Sequence, residues 1–176
     1  MQILMQRLIY IVWITNNQGI ISVSNELFKV PKNKRQARLW VHPDGQVIGS
    51  IFVLAQSVLH AGEEEPIEAL NGDAPFIVIR LENPEQLRFY NRNSVLRLEY
   101  TEAVTTATSA AVMDCRVQMM DGAIIKGKIQ EALPQNKSRL FDYLNRIEER
   151  FIKLYTDEKE ICLINKSYIN YVINEE

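Results

Sequence analysis

The stretch RVQMMDGAIIKGKI, residues 116–129, decides the fold, because a second version of it, RLWVHPDGQVIGSI, occupies residues 38–51. In both versions apolar residues alternate with polar ones, an Asp-Gly pair interrupts the pattern, and the alternation resumes. Such a pattern is typical of a β-hairpin, since the glycine supplies the positive φ that a tight turn needs. Each version therefore predicts one antiparallel hairpin.

A glycine stands inside the second arm of each predicted hairpin, Gly49 in the earlier version and Gly127 in the later one. A glycine within a strand pattern has no side chain to pack, so it marks a sharp bend or a place where another backbone comes close. The two glycines align with each other, which predicts the same bend in both hairpins.

A second pair of similar segments follows the hairpins, at residues 75–100 and 150–175. Both contain alternating apolar residues, a turn, and a late Asn-Arg or Asn-Lys pair. The connectors that precede them also agree, since IEALN ends at Asn71 and FDYLN ends at Asn145. Two similarities in the same order predict a duplicated unit.

The duplication divides the chain into an N-terminal strand or arm and two similar units. The predicted boundaries are 1–31 for the arm, 32–100 for the first unit, 101–113 for the linker and 114–176 for the second unit. Five short antiparallel strands with a glycine bend close most readily into a small barrel. The predicted fold class is therefore mainly β, with two tandem small five-stranded antiparallel barrels and short helical connectors.

Composition and charge restrict the function. The 176 residues carry a formal net charge of −2, which disfavours general binding to nucleic acids or anionic membranes. The cysteines, Cys115 and Cys162, stand at different places in the second unit and do not repeat in the first. No metal site and no cofactor are expected, and a reducing cytoplasmic location is the default.

The apolar N-terminal segment ILMQRLIYIVWI is interrupted by Gln6 and Arg7. It is too short for a bilayer, which needs about 20 apolar residues. An extra strand or a partner-binding arm is the preferred interpretation, and a poorly ordered leader or a membrane anchor are the alternatives. On an ordered arm, Trp13 is expected to dock into a pocket of a partner.

Catalytic motifs are missing from the sequence. It contains no glycine-rich phosphate loop, no Gly-x-Ser-x-Gly elbow and no cluster of cysteines or histidines. The carboxylates at residues 63–65 lie in a polar connector, where they are expected to be solvated rather than catalytic. A non-enzymatic protein is therefore predicted.

The pattern of each unit resembles the Sm-like family. The matching stretches are MMDGAIIKGKI and LINKSYINYVI in the second unit, and VHPDGQVIGSI and FYNRNSVLRLE in the first. The chain also looks like an uncharacterised family of short bacterial proteins with a DG hairpin, a D-Y-L-N connector and a V-N-K closing strand. The residues that carry this second resemblance are at positions 142–145 and 164–166, and it covers most of residues 115–173.

The Sm-like resemblance implies RNA contacts from the connector asparagine and from an Arg-Gly pair in the last hairpin. The matching positions in this sequence are Asn71, Asn91, Arg92, Asn145, Asn165 and Lys166. The family's glycine is replaced by Asn93 or Ser167. The resemblance also implies that terminal strands pair between neighbouring barrels, so that three two-barrel chains would form a pseudo-sixfold ring.

Three functions follow as hypotheses. The preferred one is a protein-interaction or scaffold module that self-associates or binds a protein partner through barrel edges, the N-terminal arm and the apolar residues Phe141 and Leu144. The alternative is binding of single-stranded RNA or a nucleotide through the Asn-Arg and Asn-Lys turns, with Tyr90 or Tyr168 stacking on bases. The third is sensing of a small ligand between the barrels. Membrane binding is not expected.

Overall fold

The computed structural model describes residues 30–102, 111–131, 139–157 and 159–175, and these residues form a mainly β structure, as predicted. All the strands belong to one antiparallel sheet. The strands are β1 (Lys32–Val41), β2 (Gly45–Leu54), β3 (Phe76–Glu82), β4 (Glu85–Asn91), β5 (Val95–Thr101), β6 (Ala111–Met119), β7 (Ile124–Glu131), β8 (Phe151–Tyr155), β9 (Glu160–Asn165) and β10 (Ile169–Asn174). The helices are α1 (Pro66–Asn71) and α2 (Leu140–Leu144), and single 3-10 turns occupy Arg92–Ser94 and Lys166–Tyr168.

The order of strands across the sheet is β10-β6-β7-β8-β9-β5-β1-β2-β3-β4. We call β1 to β5 the first half and β6 to β10 the second half. The strand order within the two halves is the same, and β5 and β9 join them. Among the described strands, β4 and β10 are the outermost.

The prediction of two closed barrels is not confirmed. Closing the first half would require β5 to pair with β4, and closing the second would require β9 to pair with β10. Instead β5 and β9 pair with each other, so the strand edges that would close each half join the two halves. The sheet is continuous through both halves and is not closed.

Strand pairing follows the same register in the two halves. Ala37 lies opposite Gly49 in the first hairpin, and Cys115 lies opposite Gly127 in the second. The turn glycines Gly45 and Gly122 have φ of 77° and 89°, as the Asp-Gly pairs predict. We call residues at matching strand positions of the two halves counterparts.

The close approach predicted at the two strand glycines is present. A Cβ atom at Gly49 would lie 2.6 Å from the carbonyl oxygen of Arg80, and one at Gly127 would lie 2.5 Å from that of Tyr155. Real Cβ atoms do not come so close to backbone oxygens. These positions therefore require glycine so that β2 can pass against β3, and β7 against β8.

Each half has its own hydrophobic core, and each core is completed by side chains of the other half. Phe151, Ile161 and Leu163 of the second half belong to the core of the first. Leu96 of the first half belongs to the core of the second, because a register shift between β1 and β5 at Trp40 turns it away from its own half. The two halves thus share their apolar packing.

Several sequence predictions fall outside the described residues. They include Trp13 and the rest of the predicted arm up to residue 29, and most of the predicted linker. No helix within the described ranges is long and apolar enough to cross a membrane.

Candidate interaction site: the joint between the halves and its unpaired counterparts

The two halves are held together at a joint formed by β5 and β9. The paired residues run from Arg97 opposite Ile164 to Thr101 opposite Glu160. Successive side chains of β9 point to opposite faces. Consequently Ile161 and Leu163 enter the core of the first half, whereas Cys162 and Ile164 enter the core of the second.

Asn71, at the end of α1, reaches across the joint to the backbone of Phe151 in the second half. Its Nδ2 donates to the Phe151 carbonyl at 3.1 Å, and its Oδ1 accepts from the Phe151 N–H at 2.7 Å. We call this pair of hydrogen bonds the fork. It satisfies both polar backbone groups of Phe151, which is fully buried. Its counterpart Asn145 is exposed and, among the described residues, donates its side-chain amide to the Phe141 carbonyl of its own helix, at 2.8 Å.

Asn165 provides the second polar contact across the joint. Its Oδ1 accepts from the N–H of Ser167 in its own 3-10 turn, at 3.0 Å, and its Nδ2 donates to the Val95 carbonyl of the first half, at 2.9 Å. Its counterpart Asn91 makes the same turn contact, to the N–H of Asn93 at 2.9 Å, but it is exposed and lies on the outer strand β4.

Arg92 and Lys166 hold the ends of the two helices. The Arg92 guanidinium is buried and donates to the carbonyls of Gly72 and Ala69, at the end of α1. Lys166 donates to carbonyls at the end of α2, those of Leu144 and Arg146. Burial lowers the pKa of both side chains. A cation at the C-terminal end of a helix is stabilising, so both residues have a structural role.

Charged side chains also contact each other across the joint. Lys153 of β8 contacts Glu65 of the first half at 2.6 Å; burial disfavours its charged form, but the hydrogen bond and the charge of Glu65, together with Tyr155, raise the pKa of Lys153. Arg97 of β5 lies 3.0 Å from Asp121 of the second half and stacks over Trp40, with 3.9 Å from the guanidinium carbon to the ring centroid. A stacked and paired arginine is a strong anchor in an interface.

The outer strand β4 and the adjacent start of β3 carry large apolar side chains that are exposed. Phe76, Leu87 and Phe89 expose 52%, 53% and 68% of their surface. Their counterparts in the joint expose 0%, 2% and 0%: Phe151, Ile161 and Leu163. The three exposed residues therefore occupy the positions that, in the second half, bind the neighbouring half. We call them the β4 patch.

A cavity of about 690 Å³ lies at the opposite edge of the sheet, between α2, β6 and β10. Its lining is Met113, Arg139, Leu140, Phe141, Leu144, Val172 and Asn174. In the first half the corresponding strand and helix positions, including Leu98, Tyr100 and Leu70, pack against the inserted residues of the second half. We call this cavity the β10 pocket.

The residues predicted from the sequence therefore divide into three groups. Asn71 and Asn165 bind across the joint, Asn145 and Asn91 are their exposed counterparts near the outer edges, and Arg92 and Lys166 bind helix ends. Phe141 and Leu144 line the β10 pocket, with Phe141 73% exposed. The predicted stacking residues are engaged elsewhere: Tyr90 is buried, and Tyr168 donates across the joint to the Asn93 carbonyl at 2.8 Å.

Sequence reasoning missed the β4 patch and the charged pairs of the joint. Leu87 and Phe89 align with Ile161 and Leu163, so alternation predicts all four residues to be equally buried. The usable signal was that β4 carries apolar residues on both faces, since Tyr90 already faces its own core. A strand with two apolar faces needs a cover on each.

Among the described residues, no group of three or more histidine, cysteine, aspartate or glutamate side chains is placed to hold a metal ion. Comparison of the chain with protein-family models, with curated protein sequences and with solved structures found no match.

Proposed function

We propose that this chain is a non-enzymatic protein-interaction or scaffold module that binds protein partners through the two edges of its sheet. The observation that carries the proposal is the exposure of Phe76, Leu87 and Phe89 at positions whose counterparts are buried. Contiguous exposed apolar side chains at a strand edge favour pairing with another chain, because the edge also presents unpaired backbone groups.

The joint supplies the chemistry for such an interaction. It combines strand pairing, insertion of apolar side chains into the neighbouring core, and an asparagine fork to a buried backbone. Each of these elements has a counterpart at an outer edge that, within the described residues, contacts no neighbouring half. We extend the proposal to the architecture, as two tandem units of the Sm-like type that do not close, and to a cytoplasmic location.

Binding of single-stranded RNA or a nucleotide remains the alternative hypothesis. The charged residues that it requires, Arg92 and Lys166, direct their donors to carbonyl groups at helix ends. Their release for a phosphate would leave those carbonyls unpaired, at a cost of about 1–3 kcal/mol for each buried group. The geometry therefore favours the protein-interaction hypothesis.

The proposal is tested by size-exclusion chromatography with light scattering and dual absorbance, on full-length protein purified without a nuclease step. We expect a protein-only species larger than the 20.4 kDa chain, or a stable complex with a second protein. Phe89→Glu should abolish the association, because it places a carboxylate within the β4 patch. Val58→Glu is the matched control, since Val58 is 86% exposed and lies in the loop before α1.

Three results would count against the proposal. The first is a chain that stays at 20.4 kDa and binds no protein. The second is association that Phe89→Glu leaves intact. The third is a nucleic-acid absorbance ratio on the large species that Arg92→Ala and Lys166→Ala remove, which would favour the RNA hypothesis instead.

A further inference from the structure

We propose that the partner at both edges is a second copy of this chain, and that β10 of one copy pairs antiparallel with β4 of the next. The inference rests on the proposed function and names its partner. Its basis is the joint: β5 is the counterpart of β10, and β9 is the counterpart of β4. The pairing that joins the halves within one chain can therefore recur between chains.

The joint fixes the register of this pairing. Replacing each residue of the β5·β9 pairs by its counterpart places Val172 opposite Phe89 and Ile173 opposite Arg88. This transfer is justified because β10 pairs with β6 in the register in which β5 pairs with β1, and β4 pairs with β3 in the register in which β9 pairs with β8. Arg38 opposite Glu99 corresponds to Arg116 opposite Ile173. Phe76 opposite Asn91 likewise corresponds to Phe151 opposite Asn165.

The apolar surfaces of the two edges are complementary in this register. In the joint, Phe151, Ile161 and Leu163 fill the core beside Leu98 and α1. Between copies, the β4 patch takes their place, and the β10 pocket beside Val172 and α2 receives it. Three exposed aromatic or aliphatic side chains thus meet a cavity of about 690 Å³ lined largely by apolar residues.

The polar contacts of the joint recur as well. Asn145 is placed to turn from its own helix and form the fork to the backbone of Phe76 in the next copy, as Asn71 does to Phe151. Asn91 already accepts from its own turn through Oδ1, so its amide is available for the Ile169 carbonyl of the other copy, as that of Asn165 is for Val95. Both donors have an assigned acceptor.

Two charged contacts of the joint are replaced between copies by pairs without like charges. In the joint, Arg38 contacts Glu160 at 3.3 Å, and the counterpart pair between copies is Arg116 with Gln86. The ion pair of Lys153 with Glu65 is replaced by Val78 with Arg139, and Arg139 is exposed and free to remain in water. Neither of these two counterpart pairs brings like charges into contact, and like charges in contact oppose association.

The association is directional, because the two edges differ. A patch on β4 fits a pocket beside β10, so each copy presents one unfilled edge after binding. Head-to-tail contacts of this kind close into a ring or continue as a filament. A two-fold dimer that pairs like edges would set patch against patch and leave the β10 pocket unfilled.

Disulfide trapping in the full-length chain tests the register and the direction. Chains with Arg88→Cys are mixed with chains with Ile173→Cys under mild oxidation; strand neighbours lie within the Cα separation of about 4.4–6.8 Å that a disulfide spans. We expect a crosslinked heterodimer in the mixture and none in either variant alone. Cys115 and Cys162 are buried and free, and burial raises the pKa of both thiols, so they contribute little background.

Val58→Cys mixed with Ile173→Cys is the matched control, because Val58 is exposed in the loop before α1, outside the proposed contact, and should give at least tenfold less crosslink. Equal crosslinking in the control, or a homodimer of either single variant, would overturn the inference. A monomer whose edges bind another protein or another segment of its own chain would also overturn it, and edge-dependent binding of another protein would leave the proposed function standing. A monomer that binds nothing would overturn both.

Discussion

Replacement of Asn71 by alanine should destabilise the chain far more than the same replacement of its counterpart Asn145. Asn71 satisfies both backbone groups of Phe151, a residue with 0% exposure, at 3.1 and 2.7 Å. Asn145 is exposed, and its side-chain amide donates to the Phe141 carbonyl at 2.8 Å within its own helix. The two variants remove the same atoms from the same type of helix end.

The magnitude follows from the groups left unpaired. Each buried backbone group without a partner costs about 1–3 kcal/mol, so leaving both groups of Phe151 unpaired should lower the free energy of unfolding by about 2–6 kcal/mol. For a chain of this length each kcal/mol lowers Tm by about 2–4 °C, which predicts a decrease of roughly 4–24 °C for Asn71→Ala. Asn145→Ala should change the free energy of unfolding by about 0.5 kcal/mol or less, as exposed substitutions usually do.

Urea unfolding followed by circular dichroism, with thermal scans, measures both variants at a protein concentration where light scattering finds a monomer. If self-association occurs at higher concentration, only there should Asn145→Ala reduce Tm, because the fork to Phe76 would then be lost. Equal effects of the two substitutions in the monomer, or an effect of Asn71→Ala below about 1 kcal/mol, would refute the role assigned to the fork.

Three further predictions concern positions away from the fork. Gly127→Ala should lower the free energy of unfolding by at least about 1–3 kcal/mol in a urea titration, because its Cβ would lie 2.5 Å from the Tyr155 carbonyl oxygen. Gly72→Ala is the control and should be tolerated, because its Cβ would have no contact under 3.5 Å. Equal losses of unfolding free energy in the two variants would argue against the close approach. Arg92→Met should lower Tm by several degrees without changing nucleic-acid affinity in a filter-binding assay, because the guanidinium holds α1; weaker nucleic-acid binding at unchanged Tm would contradict this. Contact with the Ala61 carbonyl and the nearby Glu68 carboxylate raise the pKa of His60 above 6.5, so the stability contributed by protonated His60 should be present below pH 6.5 and lost as the pH rises through its folded pKa. NMR titration measures that pKa, and urea unfolding of the unchanged chain and of His60→Gln, below pH 6.5 and above the folded pKa, measures the stability. A folded pKa below 6.5 would contradict the prediction.

The strands and turns could be predicted from the sequence because they depend on local rules. Asp-Gly pairs predict the positive φ of Gly45 and Gly122, and glycine inside an alternating strand predicts the close approach at Gly127. Alternation of apolar residues also predicts a mainly β chain. Each of these signals is contained within a few residues, so no knowledge of the rest of the molecule is needed.

The closure of the sheet could not be predicted, because it depends on which edges meet. Strand β5 has apolar residues suited to either neighbour, and its choice of β9 is decided by contacts distant in sequence, such as the pairing of Arg97 with Asp121. The functions of the asparagines are hidden for the same reason. Asn71 and Asn145 end similar connectors, yet only Asn71 has the backbone of Phe151 within reach.

Differences between the joint and its outer counterparts indicate how strong an association between copies should be. The positions whose side chains enter the neighbouring core are large and apolar both in the joint and at the outer edge; Phe89, for example, is the counterpart of Leu163. The opposite face is more polar at the outer edges: buried Leu96 corresponds to exposed Asn170, and buried Cys162 to half-exposed Arg88. A contact between copies would therefore bury one apolar face, whereas the joint buries two. Because apolar burial provides most of the driving force, the contact between copies should be weaker than the joint and reversible with concentration, while the covalent chain keeps the two halves together.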